Sequence, residues 1–221
     1  MLTTPRPQLT TEIRVRGPAT GPAVICVNGG RAKAIAGTWS ASLEWLVAQL
    51  APQFPQLRFT EVKYRIKSWN HFESCREDAR EAIERLDAER TLLLGFSMGG
   101  AVAISVADDP RVRGVLGLAP WIPDQLSVEP LRGRRLDVIH GSLDRPLPGL
   151  PGVSPAGSRR GFERAQALGV PGTYTVVRGA LHAIALRAGR PVPLPRAKIW
   201  ERHVVMHLEA FVKESTPAGV Q

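Results

Sequence analysis

Ser97 stands in "TLLLGFSMGGAVAI", residues 91–104, between glycines at the end of an apolar run. An apolar segment bounded by turn residues reads as a buried strand, and the small apolar residues after the glycines read as a helix. Ser97 then falls on the turn joining the two. A serine there has two possible uses. Its hydroxyl can cap the helix by accepting from a free backbone N–H. Alternatively, it can be held out into a cleft as a nucleophile. That use needs an imidazole to take the hydroxyl proton, a carboxylate to hold the imidazole's tautomer, and backbone donors for the charge developing on a carbonyl oxygen.

The surrounding pattern predicts where such partners would lie. Strand-like runs begin at Pro22 ("PAVICVNGG"), Leu57 ("LRFTEVKY"), Thr91 ("TLLLGF"), Val112 ("VRGVLGLAP"), Arg135 ("RLDVIHG") and Thr173 ("TYTVVRG"). Helical patterns begin at Trp39, Glu73, Met98 and Ser158, and an amphipathic helix is expected over 198–213. This alternation predicts an α/β fold, a mostly parallel sheet with helices on both faces. Sites in such sheets form where the strands' carboxyl ends emerge. At those ends stand Asn28-Gly29-Gly30, the Gly95–Gly99 turn, Asp144 after "VIHG" and His182 after "VVRGA". In chain order they offer an oxyanion loop, a nucleophile, an acid and a base. Met98 N–H is the first oxyanion donor, and Gly30 or Arg31 N–H the second.

His182 competes with four other histidines. His140, in a strand end, reads as a packed or supporting residue, and His71 as the start of a helix. His203 and His207 are four apart on one helix, a metal-ligand spacing. With no acidic or cysteine ligand set beside them, they read as packing or exposed residues. Asp137 begins its strand too early to reach the base.

At this point the sequence resembles the α/β-hydrolase superfamily, in which Gly-x-Ser-x-Gly forms a nucleophile elbow and the chain order is serine, acid, histidine. "GFSMG" matches the elbow, "GSLD" matches a Gly-x-x-Asp pattern, and the likeness runs from about Ala23 to the last helix. The resemblance implies Ser97 as nucleophile, Asp144 as acid and His182 as base. The reaction implied is cleavage of a carboxylic ester or thioester through an acyl-enzyme, with neither metal nor organic cofactor. Asp124 and Glu129 are reserve acids, since some members take the acid from the neighbouring strand. Two departures stand out. "NGG" replaces the His-Gly that many members carry in the oxyanion loop. Residues 121–134 are too few for a helical cap, which implies a compact fold with an open Ser97. The alternative reading is a catalytically inactive member that serves as a binding or interaction protein.

Composition bounds the remaining choices. The 221 residues are 43% hydrophobic, enough for one domain over 1–221, with 1–20 an N-terminal arm or edge strand. No apolar run nears the roughly 20 residues of a membrane span, nor is there a secretory leader. The expected location is cytoplasmic. Cys26 and Cys75 form no Cys-x-x-Cys pair and read as incidental thiols. The net charge of +9 comes from scattered basic residues without stacking aromatics. That scatter argues against a nucleic-acid partner, and the partner the resemblance implies is a small-molecule ester or thioester. Arg31 and Lys33 would make the mouth of the site electropositive, and Trp39, Trp69 and Trp121 could line it. The Pro/Gly-rich stretches 144–158 and 187–195 read as long loops.

Overall fold

The computed structural model describes residues 11–146 and 152–214. Residues 1–10 of the expected arm, and 147–151 of the first expected loop, lie outside the described residues. The main strands are β1 (Glu12–Arg16), β2 (Ala23–Val27), β4 (Arg58–Lys63), β6 (Thr91–Phe96), β7 (Val112–Leu118), β8 (Arg135–Gly141) and β9 (Tyr174–Val177). They form one sheet in the order β1-β4-β2-β6-β7-β8-β9. Every pairing is parallel except that of β1, which runs antiparallel to β4 at the edge. The segment "TEIRVRG" is thus an edge strand along Glu12–Arg16.

Alternation along the strands divides the core in two. Ala23, Ile25 and Val27 of β2 join a cluster on one face with residues of α2 (Phe72–Leu86), α3 (Met98–Ser105) and α4 (Pro155–Ala167). Val24 and Cys26 join a cluster on the other face with α1 (Ala41–Leu50) and α5 (Ala197–Lys213). Successive side chains of a strand point to opposite faces, so one apolar run serves both layers.

The chain order also fixes where a cleft opens. From β2 the chain crosses by α1 to β4 on one side, then returns by α2 over β2 to β6 on the other. Right-handed crossovers in opposite directions place α1 and α2 on opposite faces. The carboxyl ends of β2 and β6 therefore flank a topological switch point, where loops diverge and leave a crevice.

Two small sheets border that crevice. β3 (Ile35–Ala36) pairs with β5 (Ile66–Lys67), and β10 (Ala185–Ala188) pairs with β11 (Arg190–Pro193). The second pair corrects the reading of 187–195 as a loop. It is a hairpin turning at Gly189, whose φ is +69°. Its Pro residues sit in a two-stranded ribbon, where proline's missing N–H can be spared. Between β7 and β8 the chain forms only one short turn of 3-10 helix, Glu129–Leu131, and no cap.

Candidate active site

Ser97 connects β6 to α3 with φ +57° and ψ −122°, a conformation that costs a non-glycine residue strain. Its hydroxyl makes no capping hydrogen bond to α3, so the capping role is not the one it fills. The backbone around it is pinned. Ser97 N–H donates to Leu118 O at 3.0 Å, and Trp121 N–H donates to Ser97 O at 2.9 Å. The turn depends on close approach, because a Cβ on Gly99 would collide with Val27 O. Glycine at this position lets α3 start directly against β2.

The half-buried hydroxyl faces an imidazole. His182 Nε2 lies 3.0 Å from Ser97 Oγ, and His182 Nδ1 lies 2.7 Å from Asp144 Oδ2. The carboxylate requires a donor at Nδ1, so Nε2 is left as the acceptor facing the serine. Phe96 packs against the imidazole with ring centroids 5.2 Å apart. Asp144 is buried at 3% exposure.

Asp144 has a second imidazole. His140 Nε2 lies 2.9 Å from the same Oδ2, while Val153 N–H donates to Oδ1 at 2.9 Å. The other nitrogen of His140 lies 2.7 Å from Ser158 Oγ, which lies 2.7 Å from the Tyr174 hydroxyl. Burial by itself would raise the Asp144 pKa, but hydrogen bonds from His140 and His182 outweigh it and hold the carboxyl below its ordinary value. The sequence marks His140 as a support without showing what it supports. Strand β8 ends at Gly141, and the turn that follows brings Asp144 back over His140. The spacing "HGSLD" is the signal that could have found this pair.

The loop after β2 lies against the elbow. A Cβ on Gly29 would stand 3.2 Å from Ser97 Cβ, and one on Gly30 would collide with Met98 Sδ and the Trp69 ring. Met98, first in α3, carries an N–H with no partner inside its own helix. Gly30, Arg31 and Ser97 line one cleft of about 460 Å³, together with Trp39, Phe96, Leu181 and Leu186.

Several other expected positions lie elsewhere. Glu129 pairs with Arg132 on the surface, the Asp124 carboxylate lies 3.6 Å from Arg160, and the carboxylate paired with His182 is that of Asp144. Asp137 accepts from Arg135 and from Thr173. His207 lies 3.6 Å from Asp137, and burial lowers its pKa. No cluster of three or more metal-binding side chains occurs among the described residues. His71 precedes α2 and is exposed. Trp69 packs beside Gly30, and Trp121 meets Phe72 edge-on at 6.5 Å. Lys33 is exposed and does not line the cleft, whereas Lys67, unremarked in the sequence, does. Cys26 and Cys75 are buried free thiols, with pKa values pushed up by burial. No helix of the described residues is long and apolar enough to cross a membrane.

No protein-family model matches this chain, and no curated protein sequence does. Solved structures do. A monoacylglycerol lipase of Paleococcus ferrophilus aligns at 16% identity and a TM-score of 0.63, over 91% of this chain and 99% of its own. A sugar hydrolase of Lactococcus lactis aligns at 17% identity and a TM-score of 0.66, over 94% of this chain and 96% of its own. This chain has the α/β-hydrolase fold. A thermophilic esterase of Thermogutta terrifontis shares that fold at 15% identity and a TM-score of 0.61, over 96% of this chain and 92% of its own. Within this α/β-hydrolase fold, the short β7–β8 connection carries no helical cap, and Ser97 is one of the residues lining the cleft.

Proposed function

We propose that this protein is a serine hydrolase that cleaves a carboxylic ester or thioester through an acyl-enzyme. The observation that carries this reading is the continuous hydrogen-bonded line from Ser97 Oγ through both nitrogens of His182 to Asp144 Oδ2. The serine at its head is uncapped and held at positive φ. Neighbours described as a lipase, an esterase and a sugar hydrolase favour hydrolysis over other chemistry on the same fold.

Each group has one task. Ser97 Oγ attacks the substrate carbonyl carbon as its proton passes to His182 Nε2. Asp144, ionised and buried, stabilises the imidazolium through Nδ1–H. Met98 N–H, with Gly30 or Arg31 N–H, donates to the carbonyl oxygen as it becomes negative. Collapse of the tetrahedral adduct expels the alcohol or thiol, which takes the proton from His182. Water then attacks the acyl-enzyme with His182 again as base, releasing the acid and restoring Ser97.

A fluorophosphonate probe is expected to label the native chain at Ser97, and Ser97→Ala to abolish labelling. Against 4-nitrophenyl esters of graded acyl length, Ser97→Ala and His182→Ala should each lower kcat by about 10⁴-fold or more, and the double variant little further. Additive losses would break the shared step. Absence of both labelling and turnover in the folded chain would favour the non-catalytic binding protein.

A further inference from the structure

We propose that the cleft selects an ester or thioester whose non-reacting end carries an anionic oxygen group, a carboxylate or a phosphate, and that Lys67 receives it; this substrate class rests on the hydrolase reading above. Lys67 lies on β5 and is 8% exposed, yet it lines the same cleft as Ser97. Its Nζ meets Asn28 Oδ1 at 3.4 Å and Thr38 Oγ1 at 3.3 Å. Both acceptors are neutral and both contacts long. Lys67 has no ion pair among the described residues, although an ammonium has three donors and lysine is rarely this buried without a counter-charge.

The rest of the cleft points the same way. Arg31, Arg145 and Arg187 line it alongside Lys67, and among the described residues no Asp or Glu does. Arg187 is matched by Glu44 of α1 at 2.7 Å. Apolar surface from Trp39, Phe96, Leu181 and Leu186 lies beside these cations and suits the hydrocarbon part of a substrate. Burial lowers the Lys67 pKa to about 8, and Arg31 pushes it the same way. Cys75, on α2, is itself pushed up to about 11 and supplies no thiolate at neutral pH. The ammonium is thus present near neutrality but poorly compensated, and a bound oxyanion would supply the missing charge.

The test compares the 4-nitrophenyl monoester of glutaric acid with 4-nitrophenyl pentanoate on the full chain, at low and high salt. Wild type is expected to favour the monoester by about tenfold in kcat/KM at low salt, with the preference fading as salt rises. Equal rates at low salt overturn the proposal without any variant. Lys67→Met should lose at least about tenfold more on the monoester than on pentanoate, chiefly in KM. Equal losses would make Lys67 only a brace between Asn28 and Thr38. Calorimetric titration of Ser97→Ala with glutarate, and separately with inorganic phosphate, distinguishes the two anions and does not depend on turnover. If neither ester is hydrolysed and the fluorophosphonate does not label Ser97, the hydrolase reading fails. Anion binding weakened by Lys67→Met would then still support the site, and absence of binding by both anions would overturn it.

Discussion

At the scale of single residues, Asp144 is the most heavily used side chain of the site, since its carboxylate serves His182, His140 and Val153 N–H together. In the proposed mechanism His140 would act as a positioning residue, through this carboxylate. His140→Phe removes one donor from Asp144 and one partner from the Ser158 hydroxyl, which keeps Tyr174 and the Pro155 carbonyl, and should cost about 1–3 kcal/mol of stability. The pH dependence of that cost follows from the lowered Asp144 pKa. A carboxyl whose folded pKa lies below its unfolded value of about 3.9 contributes stability that is present above that value. The contribution disappears as pH falls through the folded pKa. The stability gap between wild type and His140→Phe should therefore be widest above about pH 4 and narrow on further acidification. Urea unfolding across acidic pH measures it, and a gap constant with pH would remove Asp144 from the explanation.

Among the elements, the hairpin β10–β11 is the least expected from local pattern and the one that shapes the cleft wall. One buried hydroxyl fastens it to α1. Ser42 Oγ accepts from Ile184 N–H at 3.1 Å and Ala185 N–H at 3.2 Å, and donates to Ala185 O at 3.2 Å. Ser42→Ala leaves two backbone donors without their partner and should cost about 1–3 kcal/mol. Because Leu186 and Arg187 belong to the same hairpin and line the cleft, KM should rise more than kcat falls. Denaturant unfolding and steady-state kinetics give both numbers. A stability change within about 0.5 kcal/mol would show that the hairpin is held by packing instead.

In the whole molecule, the paired layers make the sheet centre the most protected region. β2 and β6 each have parallel neighbours on both sides and helices over both faces. The periphery is held by polar links. Arg14 on β1 grips the buried Glu61 of β4 through two hydrogen bonds at 2.9 and 2.7 Å, and Glu44 lies between Arg14 and Arg187 of the hairpin. Hydrogen exchange should therefore be slowest in β2, β6 and β7 and faster in β1 and β10–β11. Peptide-level exchange by mass spectrometry would show it, and a hairpin protected like β6 would contradict this hierarchy.

The local features are legible in the chain of residues alone. Alternating apolar runs specify both the strands and the two faces they cover, because side-chain direction along a strand depends only on neighbouring residues. Ser97 between Gly95 and Gly99 marks a strand-to-helix turn for the same reason, since close backbone approach requires glycine there. Asp144 and His182 can be placed at strand ends, but which acid meets the imidazole cannot. Asp124, Glu129 and Asp144 all follow strands, and only the packing of the β8 turn against the loop after β9 puts Asp144 within 2.7 Å of His182. Tertiary structure likewise decides the second imidazole on Asp144, the hairpin at 185–193 and the burial of Lys67 in the cleft. Each depends on residues far apart in the chain meeting through sheet register and loop closure, and no local periodicity records those distances.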